Sequence, residues 1–424
     1  MFGHGCYNSH VSEPPRILFV AARYPWPAND GYRTRLANMA LGLAQLGVVD
    51  VVGLSADDVG DLVDPPSASI NPMVVREGAL PSMSTRAWRF ALGSLPSRLG
   101  RQIFADARPV IAELAANHRY DLVWLSLPDT WESVHDLLRS PVICDLDNLE
   151  NLNSRARRVL RPVWPEGGVA ARATVAARWA AGRVVDRIDE SRWDRLQRRV
   201  GRGCSHIVVC SPLDVQRSGC SNAVCVPNGY ERGVDPAERR AEVGDSPVLG
   251  LVGLMSYAPN TDGARWFVRE VMPLIRRELP GATLRIIGRG ADVVADLNVF
   301  AGVEIVGEVD DMEVALRDVD IEVIPLRFGA GTRLKAVEAF ANRLPVVSTT
   351  IGVEGLAVTH GSELLIADTP AELASAVVDL CRDPGARVRL ASNAEALYES
   401  AYRWSDIRDQ VCDLAGKVID RSGR

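Results

Sequence analysis

The chain has 424 residues, 47% apolar and 24% charged, with a formal net charge of −6. That mixture excludes a disordered or fibrous protein, and the length exceeds one ordinary core of roughly 100–200 residues. No apolar run reaches the roughly 18 residues that span a bilayer, and residues 1–13 are polar without a basic start or an apolar signal core, so a cytoplasmic protein is expected.

Short apolar, β-branched runs that end in Gly, Asp or Ser alternate with longer segments of helical spacing, the grammar of βα units. The first half predicts strands over Arg16–Val20, Val48–Ala56, Asp121–Leu127, Pro141–Asp147, His206–Ser211 and Ala223–Pro227. The second half restarts the pattern over Val248–Gly253, Ala282–Gly288, Val303–Val309, Ile321–Leu326, Leu344–Thr350 and Glu363–Ala367. Runs this apolar and unalternating suit parallel strands covered on both faces, so the fold class is α/β with two doubly wound, Rossmann-like domains. Turn-rich residues 230–247 read as the linker. The expected domains are 14–240, 241–400 and a closing helix over 401–424. Ligands of such sheets gather beyond the carboxyl ends of the strands, so two sheets facing across a cleft would share one.

Eight cysteines show neither a CxxC pair nor a ligand-like histidine grouping, which indicates free thiols and no structural zinc. Asp145-Leu146-Asp147 closes a strand, and both carboxylates on one face would allow chelation, but a lone DxD is a weak signal and fits poorly with a second complete α/β domain, so an acceptor-facing or structural role is the favoured reading. Residues 155–202 hold thirteen arginines against five acidic residues, a local charge of +8 that leaves −14 for the rest. Trp164, Trp179 and Trp193 are interleaved with these arginines. The segment reads either as a solvated helical face or as a peripheral contact for anionic lipid headgroups or an anionic acceptor. Gly288-Arg289-Gly290 lacks the third glycine of a dinucleotide fingerprint, since Val293 stands there, and is read as a turn.

The most informative segment is Pro325–Thr350, in which a strand enters a glycine-rich loop and then a helix. Gly329 and Gly331 let backbone N–H groups approach an oxyanion, Thr332 is the expected N-cap, and a diphosphate at the helix N-terminus would lie beside Arg333 and Lys335. Glu338, three residues after Lys335, could accept two ribose hydroxyls. The competing reading is a glycine loop followed by an exposed Lys335–Glu338 pair. Only Lys335 and Lys417 are lysines in this arginine-biased chain, which singles out a position where an ammonium is wanted.

With those residues in view, the chain resembles the retaining family 4 glycosyltransferases of GT-B fold, over nearly its whole length. The resemblance rests on Gly329–Gly331, Glu338-Ala339, Pro345-Val346-Val347, Gly352–Leu356, Val226-Pro227-Asn228-Gly229 and Gly253–Asn260. It extends to Gly307-Glu308-Val309, similar to the family's base-facing loop. Arg23–Pro27 and Asn29-Asp30-Gly31 through Arg35 are similar to the acceptor-side entrance of exopolysaccharide-type members. It implies transfer from a nucleoside-diphosphate sugar to a hydroxyl acceptor, lipid-linked or not, by front-face attack, with no cofactor, metal or nucleic-acid partner. The candidate set is Arg333, Lys335 and Asp147 for catalysis. Donor binding is assigned to Gly31, Gly253, Asn260, Glu308, Val309, Gly329, Gly331, Thr332, Arg333, Lys335 and Glu338. The chain departs from the family pattern at Ala330, where the earlier of two glutamates is expected, and in the loop after the first donor-domain strand, which lacks a basic pair. Ala330 keeps open a non-catalytic GT-B-like subunit.

Overall fold

The computed structural model describes residues 13–55, 63–76, 78, 81–99, 106–158, 168–233, 236, 240, 243–329, 331 and 333–422. The N-terminal part comprises β1 (Arg16–Ala21), α1 (Gly31–Leu43), β2 (Val48–Ser55), β3 (Ile70–Arg76), α2 (Met83–Leu92), α3 (Ala107–Asn117), β4 (Leu122–Ser126) and α4 (Leu127–Val134). It continues with β5 (Val142–Asp145), α5 (Glu150–Arg157), α6 (Val169–Gly203), β6 (His206–Val209), α7 (Pro212–Ser218) and β7 (Ala223–Cys225). These strands form one sheet in the order β3-β2-β1-β4-β5-β6-β7. Every pairing in it is parallel.

The second part comprises β8 (Val248–Val252), α8 (Ala258–Trp266), α9 (Met272–Glu278), β9 (Thr283–Ile287), β10 (Val303–Gly307), α10 (Met312–Leu316), β11 (Ile321–Ile324) and α11 (Leu334–Ala341). After β12 (Val346–Ser348) and β13 (Leu365–Ile366) come α12 (Pro370–Arg382), α13 (Pro384–Ala401) and α14 (Trp404–Ser422). The second sheet runs β10-β9-β8-β11-β12-β13, again parallel throughout. The apolar runs behave as parallel strands should: all but the first residue of β1 are buried, as are all of β4 and β11.

Two local differences from the sequence reading have physical causes. β3 was not predicted because INPMVVR carries a proline and alternates with solvent; it is an edge strand, where a missing N–H is tolerated. The strand expected to reach Leu127 stops at Ser126, and Leu127 takes a φ of 68° and opens α4 with a proline in its first turn.

Both sheets reverse strand order at their centre, between β1 and β4 and between β8 and β11, which fixes where a ligand crevice forms. The chain crosses between the sheets twice, and the crossings are bonded together: Tyr230 N–H donates to Tyr402 O at 2.9 Å and Trp404 N–H to Tyr230 O at 3.4 Å. Beyond the second crossing α14 lays Trp404, Ile407, Val411, Ala415 and Val418 against Leu36, Met39, Ala40 and Leu43 of the N-terminal core. Burying those four large side chains of α14 is worth about 6–12 kcal/mol as an upper estimate, so an acidic residue at Ile407 should detach the helix.

Candidate active site

A cleft of about 1180 Å³ lies between the two sheets. Its walls come from the segments after β1 (Gly31, Tyr32), β5 (Asp147, Asn148), β8 (Gly253, Tyr257, Asn260), β9 (Arg289, Gly290) and β11 (Leu326, Gly329, Gly331, Arg333, Lys335, Glu338).

The C-terminal wall is cationic. Lys335 Nζ donates to Asn260 Oδ1 at 2.6 Å, and Asn260 Nδ2 donates to Leu254 O at 2.9 Å, so the loop after β8 holds the ammonium in place. Gly253 permits this: its φ is +154°, and an added Cβ would lie 2.6 Å from Asn260 Nδ2 and 3.0 Å from Lys335 Nζ. Burial pushes the Lys335 pKa down to about 8, with Arg333 adding to the fall and Glu322 and Glu338 opposing it. Arg333 is only 4% exposed, donates from Nη2 to Gly329 O at 3.1 Å, and is shifted below its ordinary pKa by burial. Among the described residues its Nε has no hydrogen-bond partner. Two cations, Arg333 buried and Lys335 partly buried, therefore share one cavity, where desolvation outweighs the opposing charges of Glu322 and Glu338 at Lys335 and of Glu354 and Asp214 at Arg333.

Glu338 lines the same cavity one turn deeper. Burial raises its pKa to about 7, Glu313 adds to the rise, and a hydrogen bond with Tyr230 and the charge of Lys335 oppose it. The exposed Lys335–Glu338 surface pair weighed from sequence is thereby corrected: neither side chain is exposed, and both are partly buried in the wall of the cleft. Thr332 lies outside the described residues; α11 has Arg333 at its N-cap position, without a side-chain cap bond.

The N-terminal wall is built around Arg35. Its guanidinium takes both oxygens of Asp145, at 2.8 and 2.9 Å, and donates to Asn228 Oδ1 at 2.8 Å. Asp145 is thus committed to a buried ion pair, whereas Asp147 lines the cleft. Asp147 has a φ of 53° and accepts from Asn228 Nδ2 at 3.2 Å and from Cys210 Sγ at 3.3 Å. Burial raises its pKa, with the nearby Asp145 adding to the rise and Arg35 opposing it. Arg98, which nothing in the sequence singled out, also lines the cleft; it bridges Asp129 at 2.5 Å and Glu150 at 2.7 Å and lies 4.8 Å over the Trp193 ring.

The walls touch. An added Cβ at Gly331, whose φ is +94°, would come within 2.4 Å of Asn148 Oδ1, and Arg289 donates to Asn29 O at 3.1 Å. Gly31, Asp147, Gly253, Asn260, Gly329, Gly331, Arg333, Lys335 and Glu338 all line the one cleft. Glu308 and Val309 do not: Glu308 is exposed, 3.9 Å from Arg289 Nε, and Val309 packs on the core. Among the described residues no cluster of three His, Cys, Asp or Glu side chains is placed to hold a metal ion.

The arginine-rich segment divides. Trp193 is 2% exposed and packs inside the N-terminal core, which corrects its assignment to a surface patch. Trp179 carries Arg183 over its ring at 4.8 Å and, with Arg155, Arg158 and Arg187, lines a groove of about 980 Å³. Trp164 lies outside the described residues. No described helix is long and apolar enough to cross a membrane.

Two facing parallel α/β sheets with a cleft between them define the GT-B fold. Among solved structures, sucrose-phosphate synthase from Thermosynechococcus elongatus superposes with a TM-score of 0.66 at 18% identity, over 96% of this chain and 100% of that one. The Anabaena protein HepE in complex with UDP and glucose superposes at 0.60 with 15% identity, over 94% and 99%. Residues 246–383, about a third of the chain, match the family Glycosyl transferases group 1. Glycogen synthase of Mycobacterium tuberculosis is 30% identical over 217 residues, 48% of this chain and 51% of that protein. The chain spans about half the length of the curated relatives it matches.

Proposed function

We propose that the protein is a retaining, metal-independent glycosyltransferase of family 4 type that moves a sugar from a nucleoside diphosphate to a hydroxyl acceptor. The observation that carries this is the pair of cations, Arg333 buried and Lys335 partly buried, facing one interdomain cavity, with Arg333 Nε unbonded among the described residues. A diphosphate would bring negative charge and acceptor oxygens to both. Glu338, deeper on the same helix, receives the ribose hydroxyls. UDP, present in the HepE complexes, is the first nucleotide to try.

The chemistry follows from this placement. The acceptor oxygen bonds to the anomeric carbon as the bond to the β-phosphate oxygen breaks; the electron pair leaves with the phosphate, and the acceptor proton passes to that phosphate oxygen on the same face. Arg333 and Lys335 stabilise the charge that grows on the diphosphate. Asp147, across the cleft, accepts a hydrogen bond from the acceptor hydroxyl and orients it. The close approach of Gly331 to Asn148 and the hydrogen bond from Arg289 to Asn29 O join the two walls. The basic groove along α6 presents an anionic or lipid-linked acceptor, with peripheral attachment to the inner membrane face. Incubation with a donor and acceptor panel in EDTA should release nucleoside diphosphate and give product of unchanged anomeric configuration. Release only after manganese is added, or inverted product, would reject this mechanism.

A further inference from the structure

Two residues of the first crossing, Asn228 and Tyr230, reach the two halves of the site between them. Asn228 bonds Arg35 and Asp147 on the acceptor wall, at 2.8 and 3.2 Å. Tyr230, two residues on, is pinned through its backbone to the second crossing by Tyr402 and Trp404, and its carbonyl also accepts from Tyr398 Oη at 3.4 Å. Its side chain packs against the cluster that includes Ala336, Val337, Phe340 and Ala341 of α11, which puts the phenol within hydrogen-bonding reach of Glu338 and Asn342. Residue 230 therefore ties the donor-wall carboxylate to the point where both interdomain connections meet.

We propose that Tyr230 is a positioning residue that orients Glu338 toward the ribose and anchors it to the interdomain crossings. The inference rests on the reading of Glu338 as the ribose acceptor. Burial deprives that carboxylate of water, so its orientation depends on the few partners that face it: Tyr230 from the crossing, Lys335 from the same helix and Glu313 from α10. Without the phenol, Glu338 loses a donor that stabilises its charged form, and it becomes both less fixed and harder to ionise. Because Asn228 holds Asp147 through the same short segment, a shift of the crossing displaces both carboxylates together.

The test uses Tyr230→Phe, which keeps the ring and the backbone bonds. Ribo and 2′,3′-dideoxy forms of UDP, GDP and ADP are titrated by calorimetry into wild type, Tyr230→Phe and Glu338→Gln. Wild type should prefer the ribo form of its nucleotide by roughly ten- to a hundredfold, from hydrogen bonds to a charged group. Tyr230→Phe should lose about tenfold of that preference while binding the dideoxy form as wild type does, and the midpoint of its pH dependence should rise. Full ribo preference and an unmoved midpoint in Tyr230→Phe would overturn the inference. If wild type itself binds both forms equally, or binds none, the assignment of Glu338 fails instead.

Discussion

Replacing Lys335 by methionine should make the protein more stable and inactive at once. Lys335 is partly buried with a pKa near 8 against 10.5 in water, so keeping it charged at pH 7 costs the fold on the order of 3 kcal/mol. Methionine fills similar space without the charge but leaves Asn260 Oδ1 without its donor, a loss of about 1–2 kcal/mol. The net gain of about 1–2 kcal/mol corresponds to a rise in melting temperature of roughly 2–8 °C for a domain of this size. The pH dependence carries a sign. The folded pKa lies below the unfolded one, so between about pH 8 and 10.5 the unfolded chain holds more protons and the wild-type penalty disappears as pH rises. The advantage of Lys335→Met should therefore be largest below pH 8, shrink between 8 and 10.5, and turn into a deficit of about 1–2 kcal/mol, from the lost Asn260 bond, once the penalty has gone. Calorimetric melts of both proteins across that range, with turnover at saturating donor, measure each part. A lower melting temperature with wild-type turnover would refute the reasoning.

Nucleotide affinity should peak between pH 7 and 8: below about 7 Glu338 is protonated and loses its charge-assisted bonds, and above about 8 Lys335 loses the charge that meets phosphate. Titrations from pH 5.5 to 9.5 check this, and Glu338→Gln should flatten only the acidic limb. Asp147→Asn keeps the shape of the acceptor wall but weakens its hold on the acceptor hydroxyl; turnover should fall about tenfold or more with nucleotide affinity unchanged, read by kinetics and calorimetry in parallel. Arg183→Gln combined with Arg187→Gln should lower co-sedimentation with vesicles of anionic lipid and leave nucleotide binding intact; equal binding of both proteins to neutral and anionic vesicles would remove the membrane role from this groove.

The fold was legible because unalternating apolar runs leave little choice except covered parallel strands, and their restart near residue 248 marked a second sheet. β3 escaped since an edge strand needs neither the apolar run nor every N–H. The donor wall was legible for a local reason: the glycine loop, Arg333, Lys335 and Glu338 lie within ten residues on one loop and helix. The acceptor wall was not. Arg35 and Asp145 are 110 residues apart, and Arg98 and Glu150 are 52 apart, so no spacing rule joins them. Two signals were available and unused. Glu322 interrupts the otherwise apolar run Ile321–Ile324, which points to a buried carboxylate. Asp189, Trp193, Leu196, Gln197 and Val200 recur at helical spacing, which places Trp193 on the buried face of the 35-residue helix α6 rather than beside the exposed arginines.

The central claim is that a nucleoside diphosphate binds against Arg333 and Lys335. Isothermal calorimetry at pH 7.5 in EDTA, titrating UDP, GDP, TDP and ADP into wild type and into Arg333→Ala, tests it most directly. The account predicts one-to-one binding of at least one nucleotide to wild type, weakened at least about tenfold in Arg333→Ala, since a charge-assisted hydrogen bond is worth about 1.5–3 kcal/mol. Silence from all four nucleotides, or equal affinity in the two proteins, would contradict it.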